Sequence, residues 1–155
     1  MFTRGRRLFT IASLAMLLVA GLHTLGNLDT RPIDAGDAAV QSAMSGYTIP
    51  LGMGMAPSIW GIFRMLVFTM TVTLVALAAL ALVLAADRQV PARALRHVAI
   101  TLAITSGVLT AMCVFYQVPP PLISFAAVTL LYAGATVTTK DVPAQRLQTP
   151  HQLRC

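Results

Sequence analysis

Acid is the scarcest commodity in this sequence. The 155 residues hold five aspartates and no glutamate, and only 10% of residues are charged. Paired carboxylates for acid–base chemistry would have to be aspartates, and only Asp29, Asp34 and Asp37 lie near one another. Cysteine is nearly as rare: Cys113 sits in an apolar run and Cys155 is the last residue. No Cys-x-x-Cys occurs, so neither a redox motif nor a zinc site has support. Hydrophobic residues, by contrast, make up 57% and the mean hydropathy is +0.77. An ordinary soluble domain is about 25% charged. A domain of this size buries only about 70% of its chain surface, so the apolar excess could not be hidden in a globule. A soluble domain, a disordered chain and a disulfide scaffold are excluded, and an all-α integral membrane protein is expected.

The net charge is +6 and the sequence pI is about 10.4. A nucleic-acid partner would need a basic patch in polar surroundings. Here the arginines stand in short clusters between apolar runs, so no nucleic acid is expected. A hydrocarbon core of about 30 Å takes about 20 apolar residues. Four stretches qualify, approximately 8–28, 62–86, 98–118 and 122–139, with an outer loop over 29–61. Backbone groups in lipid must pair within their own segment, which makes these helices. The expected architecture is a single domain, 1–139, in an up-down-up-down four-helix bundle, followed by a flexible cytoplasmic tail, 140–155. Pro119, Pro120 and Pro121 force a reversal between the last two helices.

Nine of the eleven Lys and Arg fall on one side of these spans: Arg4, Arg6 and Arg7; Arg88, Arg93 and Arg96; Lys140, Arg146 and Arg154. Arg31 and Arg64 fall on the other. The positive-inside rule then puts both termini in the cytoplasm. The basic start followed by an apolar run is also the pattern of a secretory signal. The cleavage pattern at Val19-x-Gly21 is poor and the run continues through Leu25, which favours an uncleaved first span.

In the outer loop, Asp37 is expected to cap a short helix over 38–45, ended by Gly46, with Val40 and Met44 on one face. Such a helix suits the outer membrane surface. Ser58 is a plausible cap for the second span, and Tyr47, Trp60 and Tyr116 suit the headgroup level. Small residues at Ala99, Ala103, Gly107 and Ala111 mark a packing face on the third span. Thr101, Thr105, Ser106 and Thr110 are expected to bond back to carbonyls four residues earlier.

Two ionisable residues are left unexplained by topology. His23 lies inside the first span and Arg64 opens the second. An intramembrane ionisable residue is a functional candidate by default. With Asp29, Trp60 and Tyr116 they define a candidate outer-side ligand site. A structural network holding the loop to the helices accounts for the same residues and is favoured. A weaker reading gives His23, Met53 and Met55 soft ligands for copper(I), but methionine is ordinary apolar filler. No cofactor is expected, and nothing assembles a nucleophile with its base. The expected partners are the lipid bilayer and, beyond it, partner transmembrane helices or further copies of the chain.

His23-Thr24-Leu25-Gly26 closing the first span, Ser58-x-Trp60 before the second and Phe115-Tyr116 before the proline turn together resemble a family of small uncharacterised four-helix bacterial inner-membrane proteins. The resemblance runs through Gly134 and rests on the order of short motifs. In that family an acidic residue follows the tryptophan, where Gly61 stands here. It implies a fold and a bacterial inner membrane, and brings no activity with it.

Overall fold

The computed structural model describes residues 4–139. The expected tail, 140–155, lies outside the described residues. Five helices account for most of what is described: α1 (Arg4–Leu28), α2 (Ala35–Gly46), α3 (Ile59–Ala86), α4 (Ala92–Phe115) and α5 (Pro119–Thr138). No strand is formed among the described residues. Four of the helices, all but α2, are long and apolar enough to cross a membrane.

The helices outrun the spans drawn from hydropathy, for local reasons. α1 begins at Arg4 rather than residue 8, because arginine is a good helix former and no proline intervenes. α3 begins at Ile59 rather than 62. Ser58 Oγ accepts the Gly61 N–H at 3.1 Å, as an N-cap should. α4 begins at Ala92 rather than 98, directly after Pro91. It ends at Phe115 rather than 118 in a Schellman turn: the Val118 N–H reaches Cys113 O at 2.9 Å and the Gln117 N–H reaches Val114 O at 3.2 Å.

The three prolines also act differently from expectation. The reversal is made by Tyr116, Gln117 and Val118, and α5 starts at Pro119. First-turn N–H groups have no acceptor inside a helix, so prolines there forfeit nothing. The α2 cap is likewise Asp34, not Asp37. Asp34 Oδ1 accepts the Asp37 N–H at 2.8 Å, while the Asp37 carboxylate turns back to the Ile33 N–H at 3.2 Å. This reciprocal arrangement resembles a capping box and adds a turn to the helix. α2 has no buried residue, Val40 is exposed and Met44 is half-buried.

Contacts divide the described chain into two units, residues 4–13 with 81–139, and Leu14–Leu80. In the first unit, α4 and α5 pack side by side. The buried line of α4 is Leu95, Ala99, Leu102 and Ser106. It therefore shares only Ala99 with the expected small-residue line, and Ala111 is exposed. Ser106 decides the seam, because Thr129 Oγ1 donates to its hydroxyl from α5 at 3.0 Å. Gly107 faces Thr129 Cγ2 at a distance that leaves room for a methyl group, 3.7 Å from its would-be Cβ.

Tyr132 of α5 is fully buried. Its ring meets Phe9 of α1 edge-on at 5.7 Å, and its hydroxyl lies 3.1 Å from Ser13 Oγ. Ser13 already donates to Phe9 O at 2.9 Å, so Tyr132 is the donor in this pair. Nearer the start of α1, Gly5 lies against the Thr139 backbone, with the Thr139 Cα only 2.7 Å from where a Cβ would stand.

The second unit holds Met16, Ala20, Leu74 and Ala78 as its buried residues. Between α2 and α3 the chain forms a narrow reversal. The Ile49 N–H reaches Pro57 O and the Leu51 N–H reaches Met55 O, each at 3.0 Å. At the tip Gly52, Met53 and Gly54 all take positive φ, and Met53 is 92% exposed.

Two outcomes follow from these close contacts. Gly5→Ala is expected to cost about 1–3 kcal/mol through overpacking, read as a lower melting temperature in detergent, whereas Gly107→Ala leaves it nearly unchanged. Gln117 adopts φ 55°, a conformation that costs a residue with a Cβ. Gln117→Gly is expected to raise stability by about 1 kcal/mol in the same assay.

Candidate functional site

The candidate residues fall at the ends of the long helices and in the segments between them. His23 stands near the end of α1 and is half-buried. Its Nε2 is fully buried and has no hydrogen-bond partner. Its backbone carbonyl, in contrast, accepts from Asn27 Nδ2 at 2.7 Å. One residue on, the Thr24 hydroxyl lies 3.3 Å from that of Thr71 on α3. Both hydroxyls also return to carbonyls of their own helices, at Ala20 and Val67. The polar side chains around His23 are thus committed to each other or to backbone, and the imidazole is the one left over.

Arg64 is half-buried on α3. Its guanidinium carbon lies 5.1 Å from the centre of the Phe68 ring, one turn along the helix. That is cation–π distance. Trp60 stacks on Phe63 with ring centres 5.6 Å apart and planes 25° apart. Asp29 does not turn to Arg64. Arg31, two residues away, takes it with Nη2–Oδ2 at 2.6 Å and Nε–Oδ1 at 3.0 Å. The Arg31 guanidinium holds the Asp29 carboxyl below the usual carboxylate range, and its backbone N–H adds to the effect. Both side chains are exposed, so water screens the pair.

No hydrogen bond or ion pair joins the side chains of His23, Asp29, Trp60 and Arg64 to one another. Tyr116, in the other unit, is exposed and meets Phe115 edge-on at 5.0 Å. Met53 and Met55 are exposed in the loop reversal. Among the described residues, no three of His, Cys, Asp and Glu group as they would to hold a metal ion.

Two features escape a reading of the sequence. Arg6 reaches across to the segment after α3, where Nη1 donates to Asp87 O at 2.9 Å and Nη2 to Val90 O at 2.8 Å. A longer contact to Ala85 O, 3.4 Å, adds to the hold on the α3 terminus. This guanidinium satisfies carbonyls that a helix end leaves open. Nothing in the Arg4-Gly5-Arg6-Arg7 string separates that arginine from its neighbours. The Ser13–Tyr132 pair had a partial signal, since both interrupt apolar runs, but no rule of spacing joins residues so far apart.

No family model, no curated protein and no solved structure matches this chain.

A buried polar atom without a partner costs free energy, about 1–3 kcal/mol in protein interiors. His23→Leu is therefore expected to hold or raise the melting temperature of the purified chain in detergent. A clear fall would show that the imidazole has a partner which purification retains.

Proposed function

We propose that this chain is a small multi-pass protein of the bacterial inner membrane, with a structural or accessory role and no catalysis of its own. The observation that carries the reading is the pairing of four membrane-length apolar helices with a lopsided distribution of cations. Nine Lys and Arg belong to one side and two to the other. By the positive-inside rule both termini are cytoplasmic, and the four spans run up, down, up and down. α2 and the loop reversal then face the opposite compartment, with α2 lying along the membrane surface. The absence of any charge between Asp37 and Arg64 supports contact of this segment with the interface rather than with bulk water. The motif order in the His-Thr-Leu-Gly, Ser-x-Trp and Phe-Tyr positions supports kinship with the small four-helix inner-membrane family. Partner helices or further copies of the chain would meet its exposed apolar faces.

A second reading is favoured by one atom. The unpartnered Nε2 of His23 supports a binding or transport protein whose ligand completes a site near His23 and Arg64. Native mass spectrometry and an absorption spectrum of the purified chain separate the two. A retained small molecule, haem band or stoichiometric metal lost in His23→Leu would establish the second reading.

Topology is tested by single-cysteine labelling in a chain whose native cysteines are replaced. A cysteine at Asp34 is expected to react with an impermeant maleimide from outside the cell. One at Ala92 is expected to react only after the membrane is opened. Labelling of the Ala92 position in intact cells would refute the orientation.

A further inference from the structure

Arg6 and Arg7 are adjacent, yet their chemistry diverges. Arg6 is spent on backbone carbonyls. Arg7 is exposed and makes no hydrogen bond or ion pair among the described residues. It stands on the rim of a groove of about 540 Å³ between the first turns of α1 and the last turns of α3. Thr10 and Ile11 line the groove from α1, and Leu82, Ala85 and Ala86 from α3. Two adjacent alanines make the room, where larger side chains would close it. The one hydroxyl, Thr10, already donates to Arg6 O at 3.0 Å. The acid just after α3, Asp87, accepts the Gln89 N–H at 2.8 Å and forms no ion pair with Arg7. The result is an apolar slot with a single unneutralised cation at its mouth.

We propose that this groove binds one anionic glycerophospholipid from the cytoplasmic leaflet. Its acyl chain lies along Ile11, Leu82 and Ala86, and its phosphate is held by Arg7. Charge complementarity selects the occupant. A planar guanidinium presents parallel N–H donors that match two phosphate oxygens, and basic sites between helices on the cytoplasmic side suit anionic head groups. A zwitterionic lipid offers a phosphate but brings its own ammonium beside it, which opposes Arg7, and a free phosphate would leave the slot empty. The proposal rests on the membrane reading above and adds a ligand class to the face where that reading assigned only topology. It also separates Arg6 and Arg7 into two tasks, one holding the fold and one holding lipid.

The test is native mass spectrometry of the full chain in detergent, titrated with phosphatidylglycerol and, separately, with phosphatidylcholine. The wild type is expected to retain one phosphatidylglycerol in preference to phosphatidylcholine. Arg7→Gln is expected to weaken phosphatidylglycerol retention about tenfold, in line with loss of a charge-assisted hydrogen bond. Ala86→Phe, which fills the slot from an exposed position, is expected to weaken it with Arg7 intact. Arg93→Gln, an exposed cation on α4 outside the groove, is expected to change retention less than twofold. Circular dichroism confirms that each variant is helical. Equal retention of the two lipids, equal losses in the Arg7 and Arg93 variants, or full retention in both Arg7→Gln and Ala86→Phe would overturn the site. Inorganic phosphate competing at low millimolar concentration against the lipid would also overturn it, in favour of a simple anion site. The membrane reading is scored separately, by recovery of the wild-type chain with membranes. Arg7→Gln still leaves eight cations against two, so its orientation should not change.

Discussion

A hydroxyl inside a bilayer has no water to turn to, and most of this structure follows from that constraint. Each spanning helix satisfies its own backbone, so the side chains with polar atoms are the only ones able to demand a partner. Many answer locally. Thr69, Thr73, Thr101, Thr105 and Thr110 each return to a carbonyl four residues earlier, between 2.8 and 3.1 Å. The few that reach another helix then identify the seams: Tyr132 to Ser13, Thr129 to Ser106, and Thr24 to Thr71. Lipid offers Leu and Val no reason to prefer protein over acyl chains, so these hydroxyl pairs and the close packing around them carry specificity that apolar burial cannot. Their individual worth is small, about 0.6 kcal/mol on average in a membrane protein. Their value lies in register, because a helix shifted by one residue would separate each pair and leave the Tyr132 hydroxyl, which has no carbonyl of its own helix, unmatched.

The same constraint explains the helix ends. A terminus leaves carbonyls open, and here they are answered in ways that need particular residues. The Schellman turn after α4 places Gln117 where glycine is usual and accepts the strain. The end of α3 instead borrows Arg6 from the start of the chain. A cationic side chain suits the negative end of a helix dipole as well as its open carbonyls. A residue that would count as one more topology charge is therefore also a structural tie.

Legibility in the sequence followed the range of the interaction. Hydropathy over twenty residues exposed all four spans, since that signal is a sum over many side chains. Backbonding by Thr101, Thr105, Ser106 and Thr110 was also legible, because a donor and an acceptor four residues apart meet in any helix. Boundaries were less so. Hydropathy stops at the first arginine, whereas a helix does not, which is why α1 begins at Arg4 and α4 at Ala92. The three prolines read as a turn because their cost inside a helix is familiar, yet the first turn imposes no such cost. Long-range matches such as Tyr132 with Ser13 had no spacing rule to reveal them. In the candidate site, depth singled out His23, whose buried Nε2 has no hydrogen-bond partner, whereas Asp29 found a nearer cation in Arg31 than in Arg64.

Among the described residues, His23 and Arg7 are two polar groups that this logic of satisfaction does not close, and they differ in kind. Arg7 is exposed, so in water it would be solvated and in an interface it meets head groups; its freedom is cheap. The buried Nε2 of His23 is not cheap, and the neighbouring Thr24, Thr71 and Asn27 hold their own partners instead of turning toward it. A chain tuned only for packing would gain by replacing that imidazole with an apolar side chain of similar size, since nothing in the surrounding hydrogen bonds depends on it. Stability alone therefore gives no account of the histidine. The cost falls at the residue that the sequence already set apart by its position in an otherwise uncharged span, which makes His23 the point where packing ceases to explain the chain and a bound partner would begin to.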